Sequence, residues 1–444
     1  MAETGTQINW SGTGTADAVA AARLAMQGKA ARRLPLPRTG ATTSGDRSKT
    51  SVVPAARDGA AGRIRLKTFR AFGAAAGVPS LYALATLAIL GAGLSGVWKA
   101  NVAYAPEMYA QDGMVPAAVA NAEGKNYAVF DLNLNIRRWR EEQVARFTQT
   151  PDVVLLGASH WQEAHAGLVR SETMFNGHIH RDYWEDILGV VEVYVRNKRM
   201  PKRIILSIRD NQFTPVEQRK DFLWEPGIPN YRHMADRLGI AKQDAWKTYP
   251  WQRMKERFSL AMLFNNVTRW YNASERPHAS SDLHFDKLDT LRPDGSILWS
   301  AQHTALFTPE RAKKESLDFA AKRINSPPSI DPQGVDALDK LLTFIKANGT
   351  DVVLVHPPFN PIYFDAVQGG TYMSGLEKVR EVTRTLAKKH GLHIIGDFDP
   401  AKVGCTADQY IDGEHGNPAC LQKIFDQYEA LLPQLKLETK KDQS

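Results

Sequence analysis

Val153-Val154-Leu155-Leu156-Gly157-Ala158-Ser159-His160 is the stretch on which the reading of the fold turns. Four aliphatic residues in unbroken succession, closed by a glycine, have the pattern of a strand covered on both faces. Outward from it the signal returns. Residues 173–175 read as a weaker second strand, 203–208 as a third, 351–355 as a fourth and 393–395 as a fifth. Helical patterns fill the gaps. Residues 160–170 read as a short helix. Residues 181–198 read as an amphipathic one, with Tyr183, Ile187, Val190, Val191, Tyr194 and Val195 at helical spacing, and 337–347 and 376–390 as two more. This alternation predicts an α/β fold, a doubly wound parallel sheet with helices on both faces.

The rhythm breaks between the third and fourth strands. Residues 212–335 are expected to form a large insertion, with Trp224, Trp251, Trp270 and Trp299, that caps the ligand end of the sheet. Within it, Pro293-Asp294-Gly295 between two apolar runs predicts a hairpin. Residues 99–150 read as a connector ending in a helix over 133–147, residues 151–432 as the main domain, and 433–444 as a tail.

Charge divides the chain unevenly. Residues 1–70 hold twelve Lys/Arg against four Asp/Glu while the whole chain is +8, so everything after residue 70 is neutral. The arm is poor in large apolar residues and reads as disordered. A neutral main domain lacks the basic surface that phosphate backbones require, which argues against nucleic acid as a partner. Residues 71–98 contain no charged side chain over 28 positions, enough to cross a bilayer as a helix. Arg63, Arg65, Lys67 and Arg70 precede the run, and only Lys99 follows closely. The positive-inside rule then puts the N-terminus in the cytoplasm and the main domain outside, anchored by a single pass in the inner (cytoplasmic) membrane. Ala103-Tyr104-Ala105 also resembles a signal-peptidase site, which keeps cleavage open.

The two cysteines, Cys405 and Cys420, fit that compartment. A single pair fifteen residues apart in an oxidising space reads as one disulfide. Between them lies Asp412-Gly413-Glu414-His415, in which an Asp three places before a His suggests a carboxylate orienting an imidazole.

In a parallel sheet, ligands sit beyond the carboxyl ends of the strands. The loops there supply Gly157-Ala158-Ser159, Asn176-Gly177-His178, Arg209-Asp210-Asn211 and Pro357-Pro358-Phe359-Asn360, and the fifth strand leads towards Asp412 and His415. Ser, Gly, Asn and His thus follow one another on one face of the sheet. In this order the chain resembles the SGNH (GDSL-type) hydrolase superfamily over residues 150–430, with Gly-Ala-Ser where that family has Gly-Asp-Ser. The resemblance implies a flavodoxin-like three-layer sandwich with Ser159 as nucleophile, His415 as base and Asp412 as its orienter. It further implies an oxyanion hole from the N–H groups of Ser159 and Gly177 and the Asn211 amide. His160, His178, Arg209, Asp210 and Asn360 stand near enough to be candidates for substrate binding. Ser159 alone also reads as a helix cap, and Asp412 alone as a turn residue.

Membrane-anchored relatives of this kind exchange acyl groups on envelope polysaccharides. The resemblance therefore implies an O-acetyltransferase or O-acetylesterase acting on an extracytoplasmic polysaccharide or other acylated glycan through an acyl-Ser159 intermediate, without a cofactor. A transferase would call for a membrane protein that supplies the acyl group. The competing expectation is a catalytically inactive glycan-binding or scaffold subunit of an export complex, and a weaker one is an enzyme of membrane lipid. His160, His165, His178, His180 and Asp182 lack ligand spacing, so no metal is expected.

Overall fold

A computed structural model describes residues 69–104, 113–130, 136–180, 182–215, 228–241, 258–272 and 276–441. The basic arm as far as residue 68, Trp224, Trp251 and the last three residues of the expected tail lie outside the described residues. In chain order the strands are β1 (Asn126–Val129), β2 (Val153–Leu156), β3 (Met174–Asn176), β4 (Arg203–Ser207), β5 (His278–Ser280), β6 (Asp289–Leu291), β7 (Ile297–Leu298), β8 (Asp351–His356) and β9 (His393–Gly396).

Five of them form the expected parallel sheet, in the order β3-β2-β4-β8-β9. Because side chains alternate across a strand, each strand feeds two cores. Val154, Leu156, Ile204, Leu206, Val352 and Leu354 face one of them, with Ile187, Val190, Leu338, Leu341, Leu342, Leu376 and Val379. Those partners come from the helices Trp184–Arg196, Pro332–Ala347 and Thr371–His390. Val153, Leu155, Ile205, Val353 and Val355 face the other core, with Trp161 and with Leu421, Ile424, Phe425 and Tyr428 of the helix Pro418–Lys441. Burial on both faces explains why Val153–Leu156 carries no polar residue.

Local chemistry sets the helix ends. Asp331 caps Pro332–Ala347 by accepting the Gln333 N–H at 3.0 Å, with proline at the first position, where no N–H is needed. Thr371–His390 stops at Gly391, whose φ of +63° is left-handed, the usual glycine terminus.

Several boundaries differ from the sequence reading. Residues 160–170 form two 3-10 turns, Ser159–Trp161 and Ala166–Leu168, instead of a helix. The Asn176 amide donates to the carbonyls of Trp161 (2.5 Å) and Ala164 (2.9 Å), while Trp161 O also accepts the Ala164 N–H at 2.8 Å in a tight three-residue turn. The expected connector contains the helix Val115–Ala122, the strand β1 and the helix Ile136–Ala145. β1 pairs antiparallel with both β5 and β6 of the expected insertion, and β7 completes a second sheet, β5-β1-β6-β7. Connector and insertion therefore share this sheet. The hairpin falls where Asp294-Gly295 placed it, with Leu291 opposite Ile297 and Thr290 opposite Leu298. The expected tail is helical as far as Lys441, held by the buried Leu432 and Leu435.

Near the N-terminus, Phe69–Tyr104 is one helix. Its portion Ala83–Tyr104 is 22 residues, long and apolar enough to cross a membrane, and Leu84, Leu87, Ile89, Leu90 and Leu94 are exposed along it.

Candidate active site

The chain runs from β2 to β3 on one side of the sheet and then crosses to β4 on the other. The carboxyl ends of β2 and β4 therefore flank a switch point, where α/β sheets bind ligands. Ser159 stands there, in the first residue of its 3-10 turn. Gly157 lets the neighbouring strands close: a Cβ on it would lie 2.5 Å from Ser207 Cβ and 2.9 Å from Trp161 Cδ1.

The far end of the domain supplies the partners. Tyr410 bridges Gly416, and the Cys405–Cys420 disulfide clamps the loop across 15 residues. Within the turn, Asp412 Oδ1 accepts the N–H groups of Glu414 (2.7 Å) and His415 (2.8 Å), an Asx-type turn that fixes the carboxylate. Its other oxygen faces His415 Nδ1 at 2.7 Å. His415 Nε2 in turn lies 2.8 Å from Ser159 Oγ. An ionised carboxylate only accepts, so Nδ1 carries the proton and Nε2 is free to accept from the serine hydroxyl. The three side chains thus form one hydrogen-bonded line, the arrangement that a nucleophile, base and orienter require.

Burial works against both charges, and the pair resists it. Burial alone would lower the pKa of His415, but the charge and hydrogen bond of Asp412, with the charge of Glu414, hold it above its ordinary value. Burial would likewise raise Asp412, yet His415 and the two backbone N–H donors hold it below.

Glu414 is the main residue that the sequence reading passed over. Against the pull of burial, Arg323 and Arg209 bring its pKa down to about 2. Arg209 Nη2 donates to Glu414 Oε1 at 3.3 Å, and Arg323 pairs with the same oxygen. Arg323 comes from the helix Pro309–Arg323, whose Ser316 and Phe319 press on the backbone of Gly413 so closely that a Cβ there would lie 2.9 Å from Phe319 Cδ2. The only sequence signal for Glu414 was its place between the orienter and the base.

The other candidates sort by what they touch. Arg209 also donates to His160 Nδ1 at 3.2 Å, which leaves the proton of His160 on Nε2. Burial, then the charges of Arg209 and His415, keep His160 neutral, well below its ordinary pKa. Its ring stacks on that of His415 with centroids 5.1 Å apart. Asp210 accepts from the Tyr372 hydroxyl at 2.9 Å. Asn360 is fully buried; it caps the helix Pro361–Val367 by accepting the Ile362 N–H at 2.9 Å, and donates to Asp412 O at 2.9 Å. Both contacts lie within the fold, one of them on the loop that carries Asp412.

Two of the expected oxyanion donors make contacts within the fold. The Gly177 N–H donates to Leu155 O at 2.8 Å, and a Cβ on it would lie 2.9 Å from Leu156 Cδ2. The glycine serves close packing against β2, and its N–H is committed. Asn211 Nδ2 donates to Asp182 O at 2.9 Å, which leaves one amide hydrogen. Ser159 keeps its candidacy, because N–H groups that open a helical turn have no partner within it. His178 is fully buried, 2.9 Å through Nδ1 from Arg140 Nη2. Arg140 also donates to His178 O (2.9 Å) and Gly295 O (2.6 Å), tying the β6–β7 turn to the loop after β3. Burial lowers the pKa of this guanidinium to about 9. A further carboxyl, Glu163, is raised to about 7 by burial, against the Trp299 indole and the charge of His415.

Among the described residues, no three His, Cys, Asp or Glu side chains form a group able to hold a metal ion. No family model matches this chain, and no curated protein matches it.

Proposed function

We propose that this protein is a membrane-anchored serine enzyme of acyl esters, of the SGNH type, working on an extracytoplasmic glycan. The observation that carries the reading is the continuous chain Ser159–His415–Asp412, with contacts of 2.8 and 2.7 Å, at the switch point of a parallel sheet. In the first step Ser159 Oγ attacks the acyl carbonyl while His415 Nε2 takes its proton. The tetrahedral oxyanion collapses, the alcohol leaves with that proton, and the acyl group remains on Ser159. A sugar hydroxyl or a water then gives up a proton to His415 and attacks the acyl-serine; as the second tetrahedral intermediate collapses, His415 returns that proton to Ser159 Oγ and the new ester or acid leaves. Asp412 holds the ring and stabilises the imidazolium throughout.

The location rests on two supports. Positive charge gathers before the helix Phe69–Tyr104 and is sparse after it, the arrangement of a cytoplasmic N-terminus. The disulfide belongs to an oxidising compartment. The aromatic residues of the segment between β4 and β8 suit stacking on sugar faces.

One observation favours a second reading, a glycan-binding subunit without turnover: Gly177 has its N–H committed, and Asn211 half its amide. A fluorophosphonate probe separates the two. The detergent-solubilised full chain is expected to take the label at Ser159 and to release acetate from an aryl acetate, and Ser159→Ala to do neither. An unlabelled wild-type chain with saturable polysaccharide binding would establish the second reading.

A further inference from the structure

The helix Leu260–Asn272 reads Leu-Ala-Met-Leu-Phe-Asn-Asn-Val-Thr-Arg-Trp-Tyr-Asn, with no acid and a single basic residue. One of its faces is packed. Asn266 is buried and donates through Nδ2 to Asn101 Oδ1 at 2.9 Å. Trp270 meets Tyr104 edge to face with centroids 6.2 Å apart, and Tyr271 meets it at 6.3 Å. Just before the helix, Phe258 meets Trp98 at 6.5 Å. Another face is open. Leu260 and Phe264 are 68% and 71% exposed, and with Thr268 they follow the spacing i, i+4, i+8, one stripe of an α-helix; Tyr271, 70% exposed, stands at the edge between that stripe and the packed face.

The three partners on the other side, Trp98, Asn101 and Tyr104, all belong to the end of the candidate span Ala83–Tyr104. Trp and Tyr are the residues that mark the membrane–water boundary, and Lys99 between them has a stem long enough to reach the headgroups. A second helix pinned along Trp98–Tyr104 shares their depth. At that depth an open stripe of Leu and Phe meets acyl chains, while Trp270 and Tyr271 at the other end sit among headgroups.

We infer that the helix Leu260–Asn272 is a monotopic membrane contact, dipping obliquely beside the end of the span so that Leu260 and Phe264 enter the leaflet while Trp270 and Tyr271 stay among the headgroups. The inference rests on the helix Phe69–Tyr104 being in the bilayer, and not on the chemistry at Ser159. Interfacial helices of this kind bury their apolar face to a depth of roughly 5–10 Å. The segment between β4 and β8 then does more than cap the sheet. It fixes the catalytic domain to the membrane at a second point, so the domain does not swing freely on its anchor.

The test uses the full chain in phosphatidylcholine vesicles. Both native cysteines are in the disulfide, so a single introduced cysteine takes an environment-sensitive maleimide dye alone. Dyes at Leu260→Cys and Phe264→Cys are expected to be quenched by acyl-chain nitroxide lipids and shielded from aqueous iodide. A dye at Leu87→Cys, within the span, serves as the buried reference, and one at Leu317→Cys, exposed on the helix Pro309–Arg323, as the aqueous reference. Iodide quenching at 260 and 264 equal to that at 317, with 87 still quenched by lipid, overturns the inference and leaves the span intact. Shielding from both quenchers also overturns it, in favour of a protein neighbour or second copy on this face. Iodide access at 87 removes the spanning reading itself.

Discussion

Replacing Glu414 by glutamine tests the electrostatics around His415. The substitution keeps shape and one acceptor oxygen, turns the other into an amide donor, and removes one negative charge that faces Arg209, Arg323 and His415. In the folded chain the carboxyl has its pKa near 2 rather than 4.5, and a gap of that size corresponds to ~3 kcal/mol of stability. The folded value is the depressed one. The contribution is therefore present in full above pH 4.5 and is lost as pH falls towards 2. A similar figure, about 3–5 kcal/mol, is expected when one partner of a buried ion pair is removed and the other charge is left alone. Urea titration of the solubilised full chain at neutral pH should show Glu414→Gln less stable by about 3 kcal/mol. Between pH 5 and 2 the wild type should lose roughly that amount through this group while the variant does not. The same change should also lower the pKa of His415, since the Glu414 charge raises it and the unpaired Arg209 opposes it. The acid limb of fluorophosphonate labelling should then extend to lower pH. A loss below about 1 kcal/mol, the range of an exposed ion pair, together with an unmoved acid limb, would refute the reasoning.

Three further outcomes follow from the geometry. Asp412→Asn should slow labelling of Ser159 on the order of 10⁴-fold, because the ring loses its tautomer and its counter-charge; a rate within tenfold of wild type would detach Asp412 from the chemistry. Gly157→Ala places a Cβ 2.5 Å from Ser207 Cβ and should destabilise by about 1–3 kcal/mol through overpacking, so an unchanged urea midpoint would count against the close approach of β2 and β4. Cys405→Ser with Cys420→Ser opens a loop of 15 residues and should lower stability by roughly 3 kcal/mol; labelling should slow as well, and equal stability would mean the clamp is redundant.

How much of this was legible in the chain depended on the range of the forces involved. The five parallel strands could be read because burial on both faces forces apolar residues into consecutive positions, as at Val153–Leu156. Asp412 and His415 could be read because their contact is local, three residues long. The second sheet could not: β7 spans only Ile297–Leu298, and β1 finds its partners at residues 278–280 and 289–291. Strands that short show no period, apart from the Asp294-Gly295 turn. Gly177 and Asn360 were assigned roles by their position in a loop. Their partners, Leu155 O and Asp412 O, lie across a strand pair or in a loop distant in the chain, and no spacing in the sequence announces them. The pairing of Arg323 with Glu414 was hidden in the same way, by a separation of 91 residues.

That separation is longer still between nucleophile and base. Ser159 precedes His415 by 256 positions, and a ribosome moving at 5–20 residues per second needs roughly 10–50 s to cover them. Throughout that interval the growing chain carries Ser159 without the imidazole that faces it. Under the proposed function, chains cut or released upstream of Asp412 would lack both base and orienter, whatever else of the sheet they had built. The order of synthesis also places the bond between Cys405 and Cys420 after both ends of the Ser159–His415 contact have been made.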